Sequence, residues 1–199
     1  MKTFQCPKVH KSFEERLTDL IAKIGENMNL RRAAMLEVSN GVIASYVHNA
    51  CKPNLGKIGV LVALESNGDK AKLQELGKHI AMHVAASNPQ FLTIADVDQA
   101  SIDHEKAIFS EQAKASGKPE NIIEKMVEGR IKKYFDEVVL EEQAYIMDPD
   151  KKVKQIVADA AKEMGADIKL KAFVCFRLGE GLEKRNEDFA AEVASQLKK

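Results

Sequence analysis

Two histidines on one predicted helix have a spacing that would allow them to bind a metal ion together. His79 and His83 lie four positions apart in HIAMHVAAS, so one helix face would offer two ligands to a metal ion. The helical zinc motif needs a glutamate directly after the first histidine, where this chain has Ile80, and no third ligand is evident. Both histidines flank an apolar stripe. We therefore predict half-buried residues at its edge and no metal site.

Three other groups could bind an anion or react, and each has a plainer interpretation. The LGEG segment at 178–181 lacks the third glycine and the trailing lysine of a phosphate loop, which predicts a turn. Arg31 and Arg32 could hold a phosphate, but an arginine pair on a strand is more often a solvated or salt-bridged face. Cys175 has no histidine near it in the sequence to activate its thiol. The residues alone predict no catalytic constellation and no cofactor, which favours a binding protein over an enzyme.

Composition narrows the class of protein further. The 199 residues carry 30 Lys plus Arg and 30 Asp plus Glu, so the net charge is zero. Nucleic-acid binders and polybasic membrane anchors need a field of one sign, and neither is expected here. The three cysteines are odd in number and widely spaced, which fits reduced thiols better than a disulfide framework. With no apolar run of membrane-spanning length, we expect a soluble cytoplasmic protein.

The first part of the chain predicts a helix and a three-stranded antiparallel meander. Residues 1–11 have no periodicity and are predicted to be a tail. Ser12 and Glu15 form a capping-box pattern for a helix that Gly25 would end. The meander spans residues 31–65, with strands at 31–38, 42–48 and 57–65, a turn at Asn-Gly 40–41 and a loop at 51–57. Its second strand ends at His48, which raises the question of why a strand should present an imidazole at its exposed end.

The second part of the chain predicts mostly helices and one clear strand. A helix at about 70–87 has an apolar stripe, and a capping signal at 93–96 opens a further helix that runs to about 116. A short break at 117–119 leads into another helix, so residues 103–140 should form a projecting helical hairpin. Asp148 is predicted to cap a helix that begins at Pro149. Strict alternation at 167–178 predicts a strand whose apolar face is formed by Ile168, Leu170, Ala172, Val174, Phe176 and Leu178. A short final helix would hold Phe189, Val193 and Leu197. The order of elements predicts an α+β fold.

Long segments of the chain resemble the elongation factor Ts family, the bacterial nucleotide-exchange partners of elongation factor Tu. The resemblance runs from about Phe13 to Lys199, with the segments in the family's order. These segments are KIGENMNLRR (23–32), SYVH followed by IGVLV, HIAMHVAAS, SGKPENIIEKMVEGRIKKY, MDPDKKV and FRLGEGLEKRNEDFAAEVA.

The resemblance implies a fold of two subdomains, each with a small antiparallel sheet backed by helices, plus an inserted antiparallel helical hairpin. We accordingly expect an N-terminal core subdomain at 12–69 and a C-terminal one at 70–199 that carries the hairpin at about 103–140. The meander would form the first sheet, and the strand at 167–178 would belong to the second. In some family members the hairpin serves dimer contacts, so we expect self-association through its apolar stripe of Ile123, Val127, Ile131 and Tyr134.

The resemblance also implies a partner and a set of contact residues. His48 matches a family histidine that lies against the nucleotide-binding domain of elongation factor Tu by packing and hydrogen bonding. Ile24 and Gly25 match family positions at the same contact, and Ile146 and Met147 match positions that touch another part of the partner. The implied function is guanine nucleotide exchange on elongation factor Tu, which promotes GDP release during translation elongation without covalent chemistry.

One departure from the family bears on activity. Members begin with a small helical domain and a Thr-Asp-Phe segment that wedges near the partner's magnesium site, and this sequence contains neither. We expect a fragment or a shortened form, with exchange weakened more than binding. Two alternatives stay open: a binding or dimerisation module without full exchange activity, and a metal-dependent enzyme that uses His79 and His83.

Overall fold

The computed structural model describes residues 5–6, 10–114 and 119–182, and it confirms the predicted α+β class with small antiparallel sheets. By contact, the chain divides into two units, residues 1–36 and 37–199. The predicted subdomain boundary between 69 and 70 lies inside the second unit and stays a prediction. The predicted C-terminal helix lies outside the described residues. The elements are β1 (Gln5–Cys6), β2 (Lys11–Ser12), α1 (Phe13–Ile24), β3 (Gly41–Lys52), β4 (Leu55–Ser66), α2 (Lys70–Ser87), α3 (Gln99–Lys114), α4 (Glu120–Val138), β5 (Ala144–Tyr145), β6 (Asp148–Lys152), α5 (Val153–Met164) and β7 (Ile168–Arg177).

The first unit is built around α1 and its cap. β1 pairs antiparallel with β2, so residues 5, 6 and 11 of the segment predicted as a tail lie in strands, which corrects that prediction. The Ser12 hydroxyl accepts a hydrogen bond from the Glu15 N–H at 3.2 Å, and the Glu15 carboxylate accepts one from the Ser12 N–H at 2.7 Å. The predicted capping box is therefore confirmed, and the helix ends before Gly25 as expected.

The strand predicted at 31–38 and its turn at 40–41 are wrong. Residues 31–38 have no regular secondary structure, and the Asn40 carbonyl accepts a hydrogen bond from the Ser66 N–H at 3.1 Å. The chain therefore runs straight into β3 along β4 instead of folding back. Gly41 has φ 147, and a Cβ there would lie 1.9 Å from the Leu64 carbonyl oxygen, so glycine permits a close approach of two strands and not a turn.

β3, β4 and β7 form one antiparallel sheet in the order β3-β4-β7. The β3–β4 hairpin closes at Pro53 and Asn54, so most of the loop predicted at 51–57 is strand, and β3 continues four residues beyond His48. The assignment of residues 167–178 to a second sheet was wrong, because β7 pairs with β4. An extended strand satisfies its backbone groups on whichever neighbour is adjacent, and the sequence pattern does not name that neighbour.

A β-bulge in β7 also overturns the predicted apolar face. Ala63 pairs with Ala172, but the next residue, Leu64, pairs with Leu170, so Lys171 is an extra residue in the ladder. One inserted residue sends every later side chain to the opposite face. Phe173 and Cys175 therefore pack on the core, in place of the predicted Ala172, Val174 and Phe176.

The core lies between this sheet and α2. The predicted stripe of α2 is confirmed, since Leu73, Leu76, Ile80 and Val84 are all buried. They pack against Val62 and Leu64 of β4 and against residues of α5 and β5. Arg177 at the end of β7 reaches the C-terminal end of α2. Its guanidinium donates there to the Ala85 carbonyl at 2.7 Å and to the Asn88 side chain at 2.9 Å. Helix and sheet are thus joined by apolar burial and by a capped helix end.

α3 and α4 form the predicted helical hairpin. Arg130 lies over the Phe109 ring at 6.0 Å, as expected for antiparallel neighbours. Ile123 and Ile131 of the predicted stripe are buried within this one chain. The capping signal at 93–96 caps a three-residue 3₁₀ turn and not the long helix, which begins at Gln99 after Asp98 accepts from the Ser101 N–H at 2.8 Å.

The helix predicted to begin at Pro149 begins four residues later. β6 occupies Asp148–Lys152 and pairs with β5, with Tyr145 opposite Asp148 and Ala144 opposite Lys152. α5 then starts at Val153, and the Lys152 N–H donates to the Gln155 side chain at 2.7 Å. A proline at the first helical position is also acceptable in a short strand that leaves its nitrogen unpaired, and here pairing with β5 prevails.

Gly77 tests the packing of α2 on the sheet. A Cβ at this position would lie 2.6 Å from the Ala44 Cβ, whereas a Cβ at Gly129 of α4 would meet nothing within 4 Å. We expect Gly77→Ala to lower the free energy of unfolding by about 1–3 kcal/mol through overpacking. Gly129→Ala should raise it by roughly 0.5–1 kcal/mol through helix propensity. Urea denaturation measures both changes.

A double mutant identifies the contact responsible. If Gly77 and Ala44 meet as described, Gly77→Ala with Ala44→Gly should lose about 1 kcal/mol less than the sum of the two single variants. Additive losses, or a Gly77→Ala protein as stable as the unmutated one, would show that the helix does not lie this close to β3.

Candidate protein-binding surfaces

The exposed end of α1 holds the first two predicted contact residues. Ile24 is 54% exposed, which is high for a large aliphatic side chain. Gly25 follows in the left-handed conformation, with φ 78, and its N–H donates to the Ile21 carbonyl at 2.8 Å. A side chain at Gly25 would strain the backbone, although no atom stands in its way. The helix end thus presents an apolar side chain beside bare backbone.

His48 lies exposed within β3 and not at its end, which corrects the sequence-based placement. Tyr46, two residues earlier on the same face, packs on the edge of the core. Its hydroxyl and the His48 Nδ1 are hydrogen-bonded at 3.1 Å. Whichever of the two groups donates, this bond orients the imidazole and engages Nδ1. The second ring nitrogen, Nε2, is a further hydrogen-bonding group on the exposed side chain.

The β5–β6 turn carries the other predicted pair. Ile146 and Met147 are 41% and 49% exposed, side by side at the turn. Tyr145 before them is buried, and its hydroxyl donates to the Met147 sulfur at 3.3 Å. Two neighbouring apolar side chains that are both exposed at one turn suit a packing contact with another protein.

The predicted contact residues lie on three separate elements. Ile146 and Met147 share one turn, His48 lies in the three-stranded sheet, and Ile24 with Gly25 lies in the other unit. Each of the three groups is exposed and takes part in a hydrogen bond. None of the five residues has a neighbouring nucleophile and base arranged for catalysis in the part of the chain that the structure describes.

His83 is fully buried, contrary to the predicted half-buried edge, while His79 is only partly exposed as expected. The His83 Nε2 is hydrogen-bonded to the Gln143 Oε1 at 2.9 Å, and the Ile146 N–H donates to the Nδ1 at 3.3 Å. The Gln143 amide nitrogen donates in turn to the Glu137 carbonyl at 2.6 Å and approaches the Ser87 carbonyl at 3.5 Å. The imidazole therefore links α2, the end of α4 and the β5–β6 turn.

The surroundings of His83 fix its protonation state. Burial lowers the pKa of the imidazole from its ordinary value of 6.5, and the hydrogen bond to Gln143 opposes this only in part. Because Nδ1 accepts from a backbone N–H, the proton of the neutral ring sits on Nε2 and is donated to Gln143. Both ring nitrogens are engaged, which leaves no lone pair for a metal. Within the described residues there is no cluster of three or more side chains suited to holding one.

A lysine–carboxylate network secures the base of the β5–β6 pair. The Lys152 ammonium lies 2.7 Å from Glu142 and 2.8 Å from Asp136, and Lys154 lies 2.6 Å from Glu142. Hydrogen bonds from Lys152 and Lys154 lower the pKa of Glu142 below its usual 4.5. Three of these four groups are partly buried and only Lys154 is exposed, so the shared ion pairs orient the strands better than isolated surface pairs would.

The remaining sequence candidates have structural roles. The LGEG segment forms the predicted turn, with φ 76 at Gly179 and 68 at Gly181. Cys51 and Cys175 are in the thiol form. Arg31 and Arg32 are exposed, outside any strand.

Sequence reasoning missed the residues that support the contact groups. Tyr46, Gln143 and Tyr145 were not singled out, and His83 was predicted to lie half-buried at the edge of the apolar stripe. The histidine pair was still a useful signal, because a polar ring next to an apolar stripe needs partners when it is buried. No sequence pattern identified Gln143 as a partner of His83, because the two residues lie 60 positions apart in the chain.

The described residues thus combine an α+β fold with three exposed groups of predicted contact residues, each on or beside an ordered element. No helix in the described ranges combines the length and the apolarity needed to cross a membrane. The family model described as Elongation factor TS matches residues 1–180, and the chain belongs to this family.

Curated relatives agree with the family assignment. The chain is 57% identical over 189 residues to elongation factor Ts of Rhodospirillum centenum, which covers 95% of this chain and 62% of the relative. It is 58% identical to the protein of Rhodospirillum rubrum, over 95% of this chain and 61% of the relative. It is also 58% identical to that of Caulobacter vibrioides, over 93% and 59%. The chain spans about three fifths of the length of these relatives.

Acid destabilisation should report the buried neutral His83. Its pKa is lowered in the folded state, so below pH 6.5 the imidazole binds a proton in the unfolded chain but stays neutral in the folded one. The free energy of unfolding should therefore fall as the pH drops below 6.5, by up to about 1.4 kcal/mol per unit until the folded ring titrates. His83→Gln removes this contribution, so its stability gap to the unmutated protein should narrow between pH 7.5 and 5.5.

His79→Gln, one turn earlier on the same helix, is the matched control and should keep the unmutated pH slope. Urea denaturation at several pH values makes the comparison. A gap between His83→Gln and the unmutated protein that stays constant across this range would mean that His83 is not held neutral by burial.

Proposed function

We propose that this chain binds elongation factor Tu and promotes the release of GDP from it during translation elongation in the cytoplasm. Membership of the elongation factor Ts family supports the partner. The observation that carries the proposal is His48, an exposed imidazole whose Nδ1 is engaged by Tyr46 and whose Nε2 can hydrogen-bond to a partner. An imidazole fixed in this way loses little rotamer entropy on binding.

The proposed mechanism is a coupling of binding equilibria. A protein that binds the nucleotide-free state of a nucleotide-binding partner more tightly than the loaded state weakens nucleotide affinity by the same factor. No bond is made or broken, so the chain would act as an exchange factor and not as an enzyme. His48, Ile24 and Gly25 would contact the nucleotide-binding domain, and Ile146 and Met147 would contact a different part of the partner.

The alternative of binding without exchange rests on coverage. The chain spans about three fifths of the relatives' length, so their full activity need not lie in this part. Self-association through the hairpin also stays a prediction. Because Ile123 and Ile131 are buried within one chain, the exposed remainder of that stripe is smaller than the sequence indicated.

His48→Ala tests the proposed contact. The side chain is exposed, so its removal should leave the free energy of unfolding nearly unchanged. Losing a packing and hydrogen-bonding contact at an interface costs about 1–3 kcal/mol, so affinity for nucleotide-free elongation factor Tu should fall by roughly ten- to a hundredfold. Tyr46→Phe keeps the ring but frees the imidazole, and we expect a smaller loss of about threefold to tenfold. Calorimetric titration measures the affinities.

His104→Ala is the matched control, because it removes an exposed imidazole from α3 on the helical hairpin. The same proteins should be assayed for release of labelled GDP from elongation factor Tu over a concentration series. Binding that depends on His48 together with accelerated release supports exchange, and binding without acceleration supports the binding-only alternative. Equal binding by a folded His48→Ala protein would remove His48 from the interface.

A further inference from the structure

We propose that His83 is a positioning residue that holds the β5–β6 turn in the shape that presents Ile146 and Met147 to the partner. The inference rests on the proposed function for the identity of that partner. It begins from geometry, because the buried imidazole makes a hydrogen bond to the backbone of the very turn whose side chains are exposed. No part of His83 reaches the surface, so it can act only through the residues it supports.

The turn is short and has few contacts of its own. Tyr145 pairs with Asp148, and two residues lie between them. A two-residue turn closing strands this short depends on tertiary support to hold one conformation. Two hydrogen bonds from buried side chains provide this support. The His83 Nδ1 accepts from the Ile146 N–H, and the Tyr145 hydroxyl donates to the Met147 sulfur. The two supporting rings are themselves in contact, with centroids 5.8 Å apart.

The His83 ring is fixed on its other side as well. Its Nε2 donates to Gln143, whose amide nitrogen donates to the Glu137 carbonyl at the end of α4. This chain of bonds allows one orientation of the ring and one tautomer, with the acceptor nitrogen facing the turn. A contact surface held in its bound shape loses less entropy when a partner arrives, so this support should strengthen binding without touching the partner.

Two conservative substitutions separate positioning from stability. In His83→Asn the side-chain oxygen can take the place of Nδ1 and accept from Ile146, but the donor to Gln143 is lost. In His83→Gln the amide nitrogen can take the place of Nε2 and donate to Gln143, but the acceptor for Ile146 is lost. Each variant gives up one of two hydrogen bonds and some ring packing. Their unfolding midpoints should therefore be similar, and the turn should differ between them.

The experiment measures hydrogen exchange of the Ile146 amide by NMR and affinity for nucleotide-free elongation factor Tu in the same three proteins. We expect His83→Gln to speed Ile146 exchange about tenfold and to weaken binding about three- to tenfold. His83→Asn should stay within about twofold of the unmutated protein in both. Equal Ile146 exchange in the two variants overturns the proposal, and so does altered exchange with unaltered binding.

The unmutated protein provides a test that does not depend on the variants folding. The nitrogen chemical shifts of the His83 ring must show the proton on Nε2, with Nδ1 as acceptor; a ring protonated on Nδ1 cannot accept from Ile146 and overturns the proposal. If the unmutated chain fails to bind elongation factor Tu at all, the proposed function fails together with the binding role of His83. Slow hydrogen exchange of the Ile146 amide in His83→Asn, but not in His83→Gln, would then still show that His83 holds the turn.

Discussion

The packing of α2 across the β3–β4 hairpin is the constraint on which the rest of the second unit depends. Gly77 lets the helix approach the Ala44 Cβ, and the stripe from Leu73 to Val84 closes over the apolar face of β4. That approach fixes the height of the helix above the sheet. It also places the C-terminal end of α2 where Arg177 of β7 can cap it. Burial of apolar area supplies most of the stability. Because Gly77 has no side chain, α2 can lie close enough to the sheet for this area to be buried.

The same helix organises the polar interior. His83 is one helical turn beyond Ile80 and points at the elements that follow the hairpin of helices. A neutral imidazole can accept at one nitrogen and donate at the other, and here it uses both, toward the Ile146 backbone and the Gln143 side chain. Every buried side-chain nitrogen and oxygen in the described residues has a hydrogen-bond partner. A satisfied network of this kind specifies one arrangement of the β5–β6 turn, whereas apolar packing alone would tolerate several.

This organisation suits a protein that works by binding. His48 and the Ile146–Met147 pair are exposed, but each is supported by a residue anchored in the core: Tyr46 beneath the imidazole, and His83 with Tyr145 beneath the turn. An exchange factor works because its own binding and the binding of the nucleotide weaken each other. Its contact groups must fit one state of the partner better than the other, because a surface that adapts to both states would bind them equally and shift neither. Rigid supports under exposed groups therefore fit the proposed role.

The sequence by itself determined the features that depend on neighbours a few residues apart. The capping box of Ser12 and Glu15, the stripe of α2, the helical hairpin and the glycine turn after β7 were predicted correctly, because their hydrogen bonds and periodicities lie within one or two turns of chain. The family resemblance was equally readable from ordered motifs, and it predicted contact residues that periodicity alone would not distinguish from other exposed side chains.

Tertiary structure decided what depends on distant partners. Residues 31–38 have strand-like composition but no ladder, β7 joined the sheet of β3 and β4, and one extra residue at Lys171 turned Phe173 and Cys175 toward the core. Pairing with β5 made Asp148–Lys152 a strand where local signals predicted a helix. His83 became a buried support because Gln143, 60 residues away, supplied its acceptor. Strand partners, register and the satisfaction of a buried polar ring are set by groups that only the folded chain brings together, and no local pattern encodes them.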